Sequence, residues 1–200
     1  MLLDAAEYAC ISPIRTDRFH GLAYLADVLS PVFDLAPTRG RILKRRKGPY
    51  YPDLQEDLDR LVGLGLVNVS DLSVQAEGDR TFLDAYFDVN IGRAAPLLAA
   101  VYADADLLKL REFFRSLAEA VGRVDDQEID EATRSDLTWS GNISGTLIDF
   151  AEWRSENLSV NAAEKVTDLA ESGLGLPDGL VRPDGSLHLY VSYLRRAVNG

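Results

Sequence analysis

Residues 39–67 read RGRILKRRKGPYYPDLQEDLDRLVGLGLV. Six cations, Arg39, Arg41, Lys44, Arg45, Arg46 and Lys47, crowd around a short Ile42-Leu43 core, a pattern that reads as a short strand or extended arm. Pro52 then stands where a helix begins, because the first helical residue has no intrahelical N–H bond to lose. Leu54, Leu58, Leu61 and Val62 recur at steps of three and four, which predicts one apolar face on a helix over about 52–64. Gly65 suits the left-handed residue that closes such a helix.

Upstream, residues 2–10 predict a short helix ended by Pro13. Thr16 is placed to cap a second helix over roughly 17–29, with Phe19, Leu22, Ala26 and Leu29 as its buried stripe. Downstream, two strands are expected at about 66–76 and 81–89, turned by Gly78-Asp79. The second alternates cleanly, with Leu83, Ala85, Phe87 and Val89 on one face. The first slips phase between Val67/Val69 and Leu72/Val74, which a bulge near Ser70-Asp71 would repair. Three helices followed by a hairpin is the order of a winged helix-turn-helix, so residues 1–90 are expected to form a winged-helix domain with a β-wing.

From residue 91 to 200 the periodicity predicts a helical domain, making the fold mainly α. The clearest helix is about 105–121, where Leu107, Leu110, Phe114, Leu117 and Val121 form a core seam. Shorter helices are expected near 126–135, from Asp149 to about Glu156, and over 160–171 behind a Ser159 cap. The last helix, 186–198, starts at Ser186 and buries Leu187, Val191, Leu194 and Val198.

The composition, 46% hydrophobic and 26% charged, is that of a chain able to bury a core without staples. The single cysteine, Cys10, cannot form an internal disulfide, which fits a reducing compartment. The opening residues MLLDAAEYAC have no basic leader, and no apolar run approaches a membrane span, so a cytoplasmic protein without membrane contact is expected.

Catalytic chemistry leaves no trace. His20 and His188 lack metal-like companions at i+3 or i+4, so no metal site is expected. Neither GxxxxGK[ST] nor GxGxxG occurs, and no nucleophile elbow surrounds any serine. No cofactor is expected. The acidic run Asp125, Asp126, Glu128, Asp130 and Glu131 lacks the central Gly of a calcium loop and suits a helix start instead.

The basic stretch carries the functional signal. Its cations, with Tyr50 and Tyr51, suit contact with a nucleic-acid backbone or an acidic protein patch. The plainer alternative is a solvated loop whose tyrosines pack on the domain. The net charge of −11 opposes nucleic-acid binding by the chain as a whole. So does the third helix, which in a DNA-reading helix-turn-helix enters the major groove. Asp53, Glu56, Asp57 and Asp59 stand there against a single Arg60. Each carboxylate facing phosphate would cost on the order of about 1 kcal/mol. A protein-binding surface, with Asp53, Glu56 and Asp57 as partner-contacting residues, is therefore preferred to major-groove reading. The aromatic pair between the two charge blocks would anchor it if exposed.

Lys47-Gly48-Pro49-Tyr50, followed by Leu54, Leu58, Leu61 and Gly65-Leu66-Val67, resembles the YGPYSxxLxxxLxxLxxxGLI core of a bacterial winged-helix group. That group includes Panacea-type antitoxin domains and the middle components of ABC-three-component systems, to which Lamassu-type phage defence belongs. Phe19 and Tyr24-Leu25-Ala26-Asp27 resemble the group's LxYLAD helix. The likeness spans roughly residues 17–70 and departs at Lys47, where the group often has Tyr, and at Tyr51-Pro52, where it often has Ser. It implies a non-catalytic accessory subunit in an antiviral defence complex with an SMC/Rad50-like ATPase and an effector, touching DNA through that complex. A Panacea-type antitoxin and a winged-helix DNA-binding transcriptional regulator are the alternatives it leaves open.

Overall fold

The computed structural model describes residues 1–39, 41–45, 48–77, 80–124, 131, 133, 136, 147–150 and 158–199. The chain is mainly helical, with two small antiparallel sheets. Helix α1 (Leu2–Tyr8) leads through β1 (Ile14–Arg15) into α2 (Thr16–Leu29) and a 3-10 turn, Ser30–Phe33. The basic stretch forms β2 (Arg41–Arg45) and β3 (Gly48–Tyr50), and α3 (Pro52–Gly63) follows with Pro52 in its first turn. Its Leu54 and Leu58 are buried, and Gly65 closes the segment at φ +70°.

Helix α2 departs from the expected stripe. Every residue but Asp17 and Arg18 is buried, because α2 lies among β1, β3, β5, α5 and α6 rather than against one layer. A helix covered on all sides needs apolar or small residues all round, and Gly21, Ala23 and Ala26 provide the room. Thr16 is not the cap. It is the first helical residue, and its hydroxyl both donates to the Ala85 carbonyl and accepts from the Ala85 N–H, at 3.1 Å each.

Strands β4 (Val67–Glu77) and β5 (Arg80–Val89) form a long hairpin whose Gly78-Asp79 turn lies outside the described residues. Pairing runs Ser70 with Tyr86, then Ser73 with Asp84, so one extra residue sits on β4. Asp71 takes it up at φ 50°, as the phase slip requires. Strand β1 pairs with β5, Ile14 opposite Phe87, giving the order β1-β5-β4.

After α4 (Ile91–Tyr102) and a 3-10 turn, Ala105–Leu107, helix α5 (Leu108–Val121) buries Phe113, Phe114, Leu117, Ala118, Ala120 and Val121. Leu107 and Leu110, expected in its seam, stay half-exposed, since the helix turns Phe113 inward instead. Strand β6 (Leu147–Asp149) replaces the start of a helix expected at Asp149. It pairs with β2, Ile148 opposite Ile42, both fully buried, so β2 becomes the middle strand of the sheet β3-β2-β6. Most of the helix expected near 126–135 lies outside the described residues.

Helix α6 (Leu158–Leu174) starts ahead of Ser159, which is buried within the helix rather than standing before its first residue. Helix α7 (Pro183–Asn199) begins three residues before Ser186, with proline at its head, and buries Leu187, Val191 and Leu194. Buried residues from α1, α2, β5, α5 and α7 belong to one continuous core. No helix among the described residues is long and apolar enough to cross a membrane.

Candidate functional site

The approach to the basic strand is anchored by one buried acid. Asp27, in α2, is fully buried, and its Oδ1 accepts from the Thr38 N–H at 2.8 Å, the Thr38 hydroxyl at 2.9 Å and the Arg39 N–H at 2.9 Å. Burial pushes its carboxyl above the usual aspartate range, and these donors oppose the shift. Burial and then the Asp27 charge push the Tyr51 hydroxyl well above its usual range, although neither that hydroxyl nor Asp27 Oδ2 has a partner in full hydrogen-bond geometry among the described residues.

His20 makes the second connection between α2 and this segment. Its Nδ1 accepts from the Tyr51 N–H at 3.2 Å, and its Nε2 lies 3.2 Å from Gln55 Oε1. A backbone N–H can only donate, so Nδ1 is the acceptor and Nε2 carries the proton donated to Gln55. The Tyr50 ring lies 4.7 Å from the imidazole, and the Tyr51 ring is parallel to it at 6.4 Å. His20 is thus a clamp on the first turn of α3.

The expected site residues divide accordingly. Tyr51 is 1% exposed, which corrects its reading as a surface anchor: α2 offers it a slot beside Asp27 and His20. Tyr50 remains half-exposed. Arg39 donates to Asp57 at 2.7 Å, so two residues assigned to outside partners satisfy each other. That bond, helped by the Arg39 and Arg60 charges, holds the Asp57 carboxyl below the usual range. Asp53 and Glu56 are exposed on α3, as is Asp59. Arg41, Lys44 and Arg45 lie on β2, between β3 and β6. Arg46 and Lys47 lie outside the described residues. The structure therefore ties the segment just ahead of β2 to the acidic face of α3 through the Arg39–Asp57 bond.

A second polar centre has no sequence signature. Asp136 is fully buried and accepts from the Tyr24 hydroxyl at 2.5 Å, the Tyr190 hydroxyl at 2.6 Å and the Ser159 hydroxyl at 2.8 and 2.9 Å. Burial and the adjacent carboxylate push both tyrosines far above their usual range, so they remain donors. Tyr24 and Asp136 are 112 positions apart, and no spacing rule reaches that far. With all four side chains sealed from solvent, the centre ties α2, α6 and α7 together rather than meeting a substrate.

Among the described residues no group of His, Cys, Asp and Glu is arranged to hold a metal. Comparison with protein-family models, with curated proteins and with solved structures found no match to this chain.

Proposed function

We propose that this chain is a non-catalytic, winged-helix accessory subunit of a bacterial anti-phage defence complex, where it binds an SMC/Rad50-like ATPase in the cytoplasm. The order α1, β1, α2, β2, β3, α3, β4, β5, with β5 between β1 and β4, supports a winged helix whose wing is the β4–β5 hairpin and whose connection from α2 to α3 is enlarged by β2 and β3. The two stretches that carry the resemblance are coupled: Asp27 holds the start of the basic arm, and His20 holds Tyr51.

The observation that carries the reading is the face of α3. Read as the recognition helix of that fold, α3 exposes Asp53, Glu56 and Asp59, which suit a protein surface and oppose phosphate. Arg41, Lys44 and Arg45 on β2 are the contacts proposed for DNA held by the complex. Co-expression with the genes encoded beside this one, followed by size-exclusion chromatography, tests the subunit reading. Co-elution with an ATPase is expected, weakened by the D53K/E56K variant. A chain that always elutes alone overturns it, and tight binding to one operator-like sequence at physiological salt favours a transcriptional regulator.

A further inference from the structure

We propose that His20 is an acid-sensitive latch on the start of α3, releasing Tyr51 and the first turn of that helix when its imidazole takes up a proton. The latch belongs to the chain alone. Its consequence, loss of the Asp53 and Glu56 face as a binding surface, rests on the accessory-subunit reading, and the two fail separately because the test below uses no partner.

Helix α2 pins the segment that carries β2 and β3 at both ends. Asp27 takes the Thr38 and Arg39 N–H groups at its entry, and His20 takes the Tyr51 N–H at its exit. The two respond differently to acid. All three donors to Asp27 end on Oδ1, so a proton on Oδ2 leaves their bonds standing. His20 has no such spare position. Its Nε2 already donates to Gln55, so an incoming proton goes to Nδ1, the atom that faces the Tyr51 N–H. Donor would then meet donor at a side chain that is 1% exposed, and the ring can hold the charge only as the bond to Tyr51 breaks.

The start of α3 depends on that bond. Tyr51 is the N-cap residue of the helix and makes no side-chain cap bond, and its buried hydroxyl has no partner in full hydrogen-bond geometry among the described residues. Its carbonyl accepts the Gln55 N–H at 3.1 Å, so freeing Tyr51 also loosens the first turn. Leu54 and Leu58, buried behind that turn, limit the release to the helix start.

Charges on the neighbouring elements stand on both sides and do not set the sign. Asp59, bonded to Gln55, and Asp17 and Asp27 on α2 favour a charged ring. Arg18 on α2, Arg39, bonded to Asp57, and Arg41, Lys44 and Arg45 on β2 oppose it. Burial and nearby charge keep Tyr24 and Tyr51 protonated, and Tyr50 contributes a ring 4.7 Å away. From α5 the buried side chains are apolar, as are Ala85, Phe87 and Val89 of β5, and Glu171 of α6 is engaged by the Gly179 and Val181 N–H groups. The Tyr51 N–H therefore decides. A site that requires neutral imidazole gives its stability at neutral pH and loses it as pH falls.

The test is NMR of the full chain. Its second histidine is His188, so His188→Gln leaves the His20 ring alone to follow. Between about pH 7.5 and about pH 5.5, the imidazole and Tyr51 amide resonances should titrate with one midpoint. Over the same range, hydrogen exchange corrected for its intrinsic pH dependence should lose about tenfold or more of its protection at Tyr51 and Gln55, while α5 keeps its own. His20→Asn places an oxygen acceptor where Nδ1 stands and cannot titrate, so protection should stay flat. If His20→Asn lacks a cooperative melt, coincidence of the two midpoints in the native ring decides alone. A ring that titrates with no response at Tyr51, a ring that stays neutral until the chain unfolds, protection lost in α5 together with Tyr51, or full pH dependence in a folded His20→Asn variant overturns the proposal.

Discussion

Three tyrosine hydroxyls in this chain are sealed from solvent, and deleting them should have unequal consequences. Tyr190 donates to Asp136 Oδ2 at 2.6 Å, and Tyr24 donates to Oδ1 at 2.5 Å. Each is fully buried, so no water can take the place of a deleted hydroxyl. A hydrogen bond to a carboxylate contributes about 1.5–3 kcal/mol. Ser159 still donates to both Asp136 oxygens after either deletion, so the carboxylate is not stranded and the lower part of the range applies. Tyr190→Phe and Tyr24→Phe should each cost about 2 kcal/mol, or about 4–8 °C in melting temperature for a chain of this length. Asp136→Asn leaves one acceptor oxygen for three hydroxyls and should cost more, about 3 kcal/mol or above. Tyr51 is the internal control. Its hydroxyl is equally buried and lies near Asp27, but it has no partner in full hydrogen-bond geometry among the described residues, so Tyr51→Phe should change stability by less than about 1 kcal/mol. Calorimetry or urea unfolding at neutral pH measures all four. Equal losses for Tyr190→Phe and Tyr51→Phe would refute the assignment of Asp136 as the tie between α2, α6 and α7. A double-mutant cycle of Tyr24 and Tyr190 should show coupling of about 0.5 kcal/mol or more through the shared carboxylate.

Glu171 accepts from the Val181 and Gly179 N–H groups at 2.6 and 2.8 Å, which holds its carboxyl below the usual glutamate range. A depressed folded-state pKa contributes stability above the unfolded value and loses it on acidification, so the gap in melting temperature between native chain and Glu171→Gln should be widest near neutrality and close below about pH 4. Gly65→Ala places a side chain at φ +70° with its Cβ 2.5 Å from Arg93 Nη1; Arg93 can swing away, leaving a backbone cost of about 1 kcal/mol in thermal melts. Isolated protein should bind duplex DNA weakly, without sequence preference and only at low salt, and R45E/R46E/K47E should abolish that binding in a mobility-shift assay. Clean protein should show no nuclease, ATPase or hydrolase activity; metal-dependent plasmid cleavage lost on changing one carboxylate pair would contradict the accessory-subunit reading.

What the sequence by itself determined lies within a few turns or one hairpin. Leu54 and Leu58 at a spacing of four, with proline before and glycine after, specify α3, because a helix reports its buried face in its own period. The phase slip between Val69 and Leu72 located the bulge at Asp71, because strand alternation tolerates no odd residue without one. The acidic outer face of α3 was equally legible, charge being a property of composition. Tertiary structure alone decided the rest. The period of α2 suggested one buried stripe, but neighbours far along the chain cover it on every side. Leu147-Ile148-Asp149 became a strand because Ile42 was there to pair with Ile148, a contact more than a hundred positions away. Tyr51 went inward and Arg39 turned to Asp57 because α2 placed Asp27 and His20 beside them. Asp136 shows the limit most clearly. Its partners stand 112, 23 and 54 positions away, and a buried carboxylate is indistinguishable from a surface one until the chain has closed around it.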